Sequence, residues 1–240
     1  IIMDIVLGAT GRVGSSLVEA LLAKGRTVRA VVRNMARAER LRQSGAAIAV
    51  ADFTNDKTLR SAFDGGDTAF IVTAEDPASH DGVEEATAFL ESCRYAVQAA
   101  GIRRVIGLSS DGAQHKSGTG FLTVSYRLEH AFDGLDIEKT FIRPSYYYSN
   151  WMMSLPVVKE HGSRPTFFPV GLAIPMCAPE DVAMFTARVF TGEGEARGVH
   201  ETTGPHTYAP ADIARLLGEV LGREVTARQT PREAWLATLE

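Results

Sequence analysis

Met3-Asp-Ile-Val-Leu-Gly-Ala-Thr-Gly-Arg-Val-Gly-Ser-Ser-Leu-Val18 is the stretch whose reading decides the fold. A short apolar run leads straight into a turn punctuated by Gly8, Gly11 and Gly14, and the turn leads into an amphipathic segment. That strand, turn and helix context separates a dinucleotide fingerprint from a chance glycine triplet. Gly8 lets the chain turn sharply, Gly11 lets backbone amides approach a pyrophosphate, and Gly14 lets the helix pack close to the strand. Anionic phosphates then lie at the positive end of the helix. Gly8, Thr10, Gly11, Arg12, Val13 and Gly14 are therefore the expected cradle.

Outward from this turn, apolar β-branched runs alternate with one-sided segments through the first 145 residues. Strands are expected at Met3–Leu7, Thr27–Val32, Ala46–Val50, Thr68–Thr73, Arg104–Ser109 and Ile137–Ile142. Helices are expected at Val13–Ala23, Ala36–Arg42, Leu59–Phe63, Val83–Ala100 and Phe121–Phe132, where apolar residues recur every three or four positions. Alternation of this kind builds a parallel sheet covered by helices on both faces. The expected fold is α/β, a Rossmann-type doubly wound parallel sheet with a small C-terminal substrate lobe, forming one domain over 1–240. After Pro144 the texture changes to Tyr146-Tyr147-Tyr148, Asn150-Trp151-Met152-Met153 and a Pro- and Gly-bearing stretch. The lobe is assigned to about 146–178 and 205–240. A helix opening at Pro179, a strand at Val199–Thr203, a helix at Ala211–Leu221 and the start of another at Thr230–Glu240 complete the pattern.

The residue after the second strand selects the dinucleotide, because an acid there would bond the ribose 2′-hydroxyl of NAD and repel a 2′-phosphate. This chain has Val32-Arg33-Asn34, and Arg33 offers a planar guanidinium to a phosphate. Arg12 and Arg37 add positive charge. NADP(H) is the expected cofactor and NAD(H) the alternative. Asp52 and Phe53 follow the third strand toward the adenine edge, Thr73 and Ala74 follow the fourth near the far ribose, and Ser109 ends the fifth.

Composition excludes other classes. A net charge of −4 lacks the basic footprint of nucleic-acid binding. The two cysteines, Cys93 and Cys177, form neither a disulfide framework nor a thiolate metal site. His80, His115, His130, His161, His200 and His206 show no metal-binding spacing, and no GxSxG elbow is present. No metal site is expected. No apolar stretch reaches the roughly 18 residues of a membrane span, so no membrane partner and a cytoplasmic location are expected.

The ordered set GATGRVG (8–14), VRAVVRN (28–34), ADF (51–53), Gly101-Ile-Arg-Arg-Val-Ile-Gly-Leu-Ser-Ser110, Glu129, Thr140-Phe-Ile-Arg-Pro144 and Asn150-Trp151 resembles the NmrA-like branch of the atypical short-chain dehydrogenases/reductases. Pro179-Glu-Asp-Val-Ala183 and Thr207-Tyr-Ala-Pro-Ala-Asp212 resemble its later landmarks. The resemblance implies NAD(P)H binding in a Rossmann domain and a substrate cleft formed by the C-terminal lobe. Classical relatives use Tyr-x-x-x-Lys on the helix after the fifth strand. Anchored on Glu129, those positions fall on Phe121 and Ser125, so the pair is absent and no catalytic residue is assigned. Tyr126-x-x-x-His130 has the spacing but sits one residue out of register.

A quinone needs that pair less strongly than an alcohol or ketone does, since its reduction yields an aromatic product and solvent can supply protons. What it needs is a flat apolar slot, for which Phe121, Tyr146, Tyr147, Trp151, Met152, Phe167 and Phe168 are the candidates. The expected function is NADPH-dependent reduction of a quinone or polycyclic aromatic carbonyl, with the reducing component of a two-component monooxygenase in aromatic polyketide tailoring as a variant. The alternative is an NADP(H)-sensing regulatory protein without turnover. The expected partner is a small aromatic or quinone substrate, with a homodimer or a partner enzyme left open.

Overall fold

The computed structural model describes residues 2–53, 55–73, 81–193 and 197–239. The chain runs β1 (Met3–Val6), α1 (Arg12–Ala23), β2 (Thr27–Val32), α2 (Glu39–Gln43), β3 (Ala47–Val50), α3 (Asp56–Phe63), β4 (Thr68–Val72), α4 (Gly82–Ala100), β5 (Arg104–Leu108), α5 (Thr123–His130) and β6 (Glu138–Pro144). There follow β7 (Tyr146–Tyr147), α6 (Leu155–His161), β8 (Ser163–Thr166), β9 (Ile174–Cys177), α7 (Pro179–Thr191) and β10 (Gly198–Thr202). The end of the chain carries β11 (Thr207–Tyr208), α8 (Pro210–Leu221), β12 (Thr226–Gln229) and α9 (Trp235–Leu239). By its contacts the chain divides into two compact units, 1–144 with 179–202, and 145–178 with 203–240.

The first unit is built on a parallel sheet in the order β10-β6-β5-β4-β1-β2-β3. Strand order reverses between β1 and β4, which is where an open α/β sheet binds its ligand, outside the carboxyl ends of the strands. Alternation along each strand divides the core between two faces. Ile5, Leu7, Val31, Ala69, Ile71 and Val105 pack with Leu59, Phe63, Phe89, Leu90 and Val97 of α3 and α4. Val6, Ala30, Phe70, Ile106 and Ile142, equally buried, face the other way, and α1 and α7 pack against each other.

Several boundaries differ from the sequence pattern. The segment 36–42 is not one helix: a 3-10 turn at Met35–Arg37 gives way at the buried Ala38 to α2. Helix α3 starts three residues before the expected Leu59, because Asn55 caps it, its side chain accepting from the amides of Lys57 at 3.1 Å and Thr58 at 3.4 Å. The segment 121–132 likewise begins as a 3-10 turn, Gly120–Leu122, before α5.

The second unit holds two small sheets. β7 and β9 run parallel, β9 and β11 antiparallel, and β8 pairs in parallel with β12. Trp151, Met176 and Ile213 form its core, with Tyr146, Tyr148, Phe168, Tyr208 and Leu217 packed against them. Among the described residues, no helix is long and apolar enough to cross a membrane.

Candidate functional site

The glycine turn has the geometry its spacing requires. Gly8 sits at φ +63°, and a Cβ there would lie 2.6 Å from Cγ2 of Val72 at the end of β4. A Cβ on Gly14 would fall 2.2 Å from the carbonyl oxygen of Gly8, so α1 rests directly on the backbone of the turn. Gly11 differs from both. Its φ of −77° and ψ of 171° suit any residue, and its Cβ would meet only the Gly8 oxygen, at 3.1 Å. Gly11 donates its amide to that oxygen at 2.8 Å and forms the N-cap of α1.

Helix α1 begins without a capping side chain and with no acid in its first turn; its first residue is Arg12. An ordinary helix start carries Ser, Thr, Asp or Asn at the cap and favours acids next to it. A cationic first residue on uncapped amides suits an external anion, and the crowding of the turn leaves glycine where that anion must approach. The residues present thus fit a dinucleotide pyrophosphate. Thr10 and Val13 belong to the same turn, Val13 being buried.

Arg33 is exposed just beyond β2, its guanidinium 5.9 Å from the ring centre of Phe53. Among the described residues, neither Arg33 nor Arg37 has a carboxylate within ion-pair distance. Asn34 turns its side-chain oxygen to the amide of Ala36 at 2.9 Å and caps the next turn. Asp52 is exposed, and its backbone amide and carbonyl are held by the Thr58 hydroxyl at 3.1 and 3.2 Å. Phe53 is half-buried, tilted against Phe89 at 4.8 Å, so part of its ring is core. Thr73 follows β4, half-buried. Ala74 lies outside the described residues, as does His80.

Past β5 the structure reveals a network that the sequence did not. Ser109 donates its hydroxyl to Oε1 of Glu129 at 2.6 Å, and Arg143 grips both oxygens of Glu129 at 2.8 and 2.7 Å. The hydrogen bonds it donates to the Glu129 carboxylate hold the Arg143 guanidinium above its usual pKa. All three residues stood in the sequence motifs, but joining them needed β5, α5 and β6 in place. Phe121 lies in the 3-10 turn rather than on α5, exposed, its ring 3.2 Å from where a Cβ on Gly82 would stand. Ser125 is buried on α5. Tyr126 and His130 stack on each other with ring centres 4.1 Å apart, and His130 Nδ1 lies 2.8 Å from the Tyr126 carbonyl, to which it donates.

In the second unit, the aromatic residues do not share one surface. Trp151 is 3% exposed and belongs to the core rather than to an open slot, its indole N–H directed at the Met176 sulfur at 3.0 Å. Tyr146 and Phe168 join it, Tyr146 at 5.1 and 5.5 Å from the two rings. Phe167 instead packs edge-on against Trp235 at 5.7 Å, and Met152 is exposed. Tyr147 is half-buried in β7. The large hydrophobic area of Trp151 is the reason: in so small a unit it is needed for the core.

Arg164 escaped the sequence reading. It is 4% exposed, stacked 3.8 Å over the Trp151 ring, and its Nε and Nη1 have no hydrogen-bond partner among the described residues. Burial pulls its pKa down to about 10, against a smaller opposing effect of Tyr146. A cation–π contact contributes about 2 kcal/mol when desolvated. Each buried unsatisfied donor costs about 1–3 kcal/mol, and more on a charged group, so the stacking does not offset them. The signal available in sequence was an arginine flanked by Pro165 and the pair Phe167-Phe168.

A parallel sheet reversing order at β1 and β4, with a glycine turn ahead of an uncapped helix, is the architecture of a dinucleotide-binding Rossmann protein. The chain belongs to the NmrA-like family, which matches residues 4–239. It is 26% identical to an NAD(P)H azoreductase of Xenophilus azovorans over 93% of this chain and 75% of that protein. It is 30% identical to a (4-alkanoyl-5-oxo-2,5-dihydrofuran-3-yl)methyl phosphate reductase of Streptomyces griseus over 92% of this chain and 74% of that one. Among solved structures, an NADPH-dependent quinone oxidoreductase of Escherichia coli complexed with NADPH superposes with a TM-score of 0.85 at 25% identity, covering 99% of this chain and 81% of that one.

Proposed function

We propose that this chain is an NAD(P)H-dependent reductase that prefers NADPH and reduces a quinone or related polycyclic aromatic carbonyl. The observation that carries the reading is the cradle: an uncapped, acid-free start of α1 behind Gly8–Gly14, with Arg33 exposed after β2. Relatives named as an azoreductase, a (4-alkanoyl-5-oxo-2,5-dihydrofuran-3-yl)methyl phosphate reductase and a quinone oxidoreductase support the reductase class.

When bound, NADPH supplies a hydride. The chain's own part is to bind and orient: the α1 amides take the pyrophosphate and Arg33 the 2′-phosphate. The Glu129–Arg143 pair fixes Ser109 at the end of β5. With Phe121 and Ser125 in the places of Tyr and Lys, no side chain of α5 serves as the usual acid, and water delivers the proton. Catalysis then rests on positioning. A finer form of the proposal makes the reduced quinone the oxygen-activating partner of a two-component monooxygenase, with oxygen uptake as its readout.

NADPH oxidation against a quinone panel tests the proposal, turnover supporting it. The missing pair favours one second reading, an NADP(H)-sensing protein, which requires tight binding with no turnover of any acceptor. Tyr126→Phe and His130→Ala are each expected to lower kcat by less than about tenfold, since an essential acid–base group contributes about 10²–10⁴-fold. Their side chains are engaged with each other and with the helix backbone. A thousandfold fall for Tyr126→Phe in steady-state kinetics would overturn the water-delivered proton.

A further inference from the structure

We propose that Arg164 is an anion-recognition residue, and that the second unit binds an aromatic ligand bearing a sulfonate, carboxylate or phosphate group. Buried polar groups are paired almost without exception, and a charged one most of all. Three other arginines of this chain obey that rule: Arg26 grips Asp4 at 2.7 and 2.8 Å, Arg143 grips Glu129, and Arg94 donates to the carbonyls of Ala131 and Asp133 at 2.7 and 2.9 Å. Arg164 is more enclosed than the side chains of Arg26 or Arg143, yet Nε and Nη1 have no partner among the described residues.

Stacking on Trp151 accounts for one face of the guanidinium and for none of its in-plane donors. A Met or Leu would fill the same space without desolvating a charge. The five in-plane N–H donors form a rigid fork whose natural complement is a pair of anionic oxygens. Nε and Nη1 are the two guanidinium nitrogens buried without a partner among the described residues, and they are donors an anionic oxygen would satisfy. Trp151, on which the guanidinium stacks, packs with Tyr146 and Phe168 at ring-centre distances of 5.1 to 6.2 Å, so the surroundings of the fork are aromatic and favour an aromatic ligand. The Tyr146 hydroxyl is held by Asn150. With a pKa of about 10, Arg164 stays cationic at neutral pH. Identifying this ligand with the acceptor rests on the reductase reading; the anion site itself does not.

Calorimetry on the full chain would compare naphthalene-2-sulfonate with naphthalene-2-sulfonamide, which share a shape and differ in charge. The sulfonate is expected to bind at least tenfold more tightly to the native chain. Arg164→Gln should abolish that preference, and Arg164→Lys, which keeps the charge but not the fork, should retain part of it. Equal affinity in the native chain, or a preference that survives Arg164→Gln, overturns the proposal. Should Arg164→Gln not fold, Trp151 emission in a Trp235→Phe background decides: the sulfonate must shift it and the sulfonamide must not, and an unchanged emission overturns the site. Sulfonate preference without turnover of any acceptor would sink the reductase reading alone, whereas quinone turnover without sulfonate preference would sink the anion site alone.

Discussion

Gly11→Val is expected to lose NADPH binding, with calorimetry flat at millimolar cofactor, while circular dichroism keeps its helical signal. The two halves of that expectation have separate causes. Gly11 has an ordinary β-region backbone, and a Cβ there meets only the Gly8 oxygen at 3.1 Å, so the fold is expected to tolerate a side chain with small adjustments. The branched side chain would instead occupy the space in front of the α1 amides, where the proposed site seats the pyrophosphate. A change from micromolar to beyond millimolar is a loss of about 4 kcal/mol or more. Gly14→Ala is the contrasting case, because its Cβ would stand 2.2 Å from the Gly8 oxygen and 2.9 Å from the Gly8 carbonyl carbon. Overpacking against soft side chains costs about 1–3 kcal/mol, and here the neighbour is backbone, so Gly14→Ala should lower both the melting temperature and the affinity. Normal NADPH affinity in Gly11→Val would mean that the phosphates lie elsewhere.

Arg33→Asp is expected to abolish or reverse the preference for NADPH over NADH. A charge-assisted hydrogen bond contributes about 1.5–3 kcal/mol, or roughly ten- to a hundredfold in affinity. The substitution also places an acid where it repels a 2′-phosphate and accepts from a free 2′-hydroxyl. Arg33 is exposed with no carboxylate partner among the described residues, and only its contact with Phe53 is lost, so stability should hardly change. Equal NADPH affinity in the native chain and the variant would remove Arg33 from the site. Arg12 or Arg37 would then be the cation to test.

The sequence by itself determined the cofactor half of the protein. Strand, glycine turn and helix are consecutive in the chain, so the reading of Gly8, Gly11 and Gly14 needed no distant contact. The alternation of apolar runs and one-sided helices likewise carries the parallel sheet, because each β-α unit buries a face that its own residues define. The position of Arg33 was legible for the same reason, because it follows β2 directly. Tertiary structure alone decided the rest. The join of Ser109, Glu129 and Arg143 spans β5, α5 and β6, and nothing in local spacing pairs an acid with an arginine 14 positions on. Phe121 left the helix for a 3-10 turn. In the second unit, strands of two to four residues have too few positions to show a period, and they exist only because partners far along the chain complete them: Tyr146 with Met176, and Arg164 with Ala227. Trp151 is a candidate for lining an apolar slot in sequence and packs into the core in the fold, since an aromatic's side of a small sheet is fixed by what packs against it. The unpaired state of Arg164 was beyond sequence for the same physical reason. Whether a buried charge has a partner depends on which side chains the fold brings within 4 Å, and that distance is set by packing rather than by spacing along the chain.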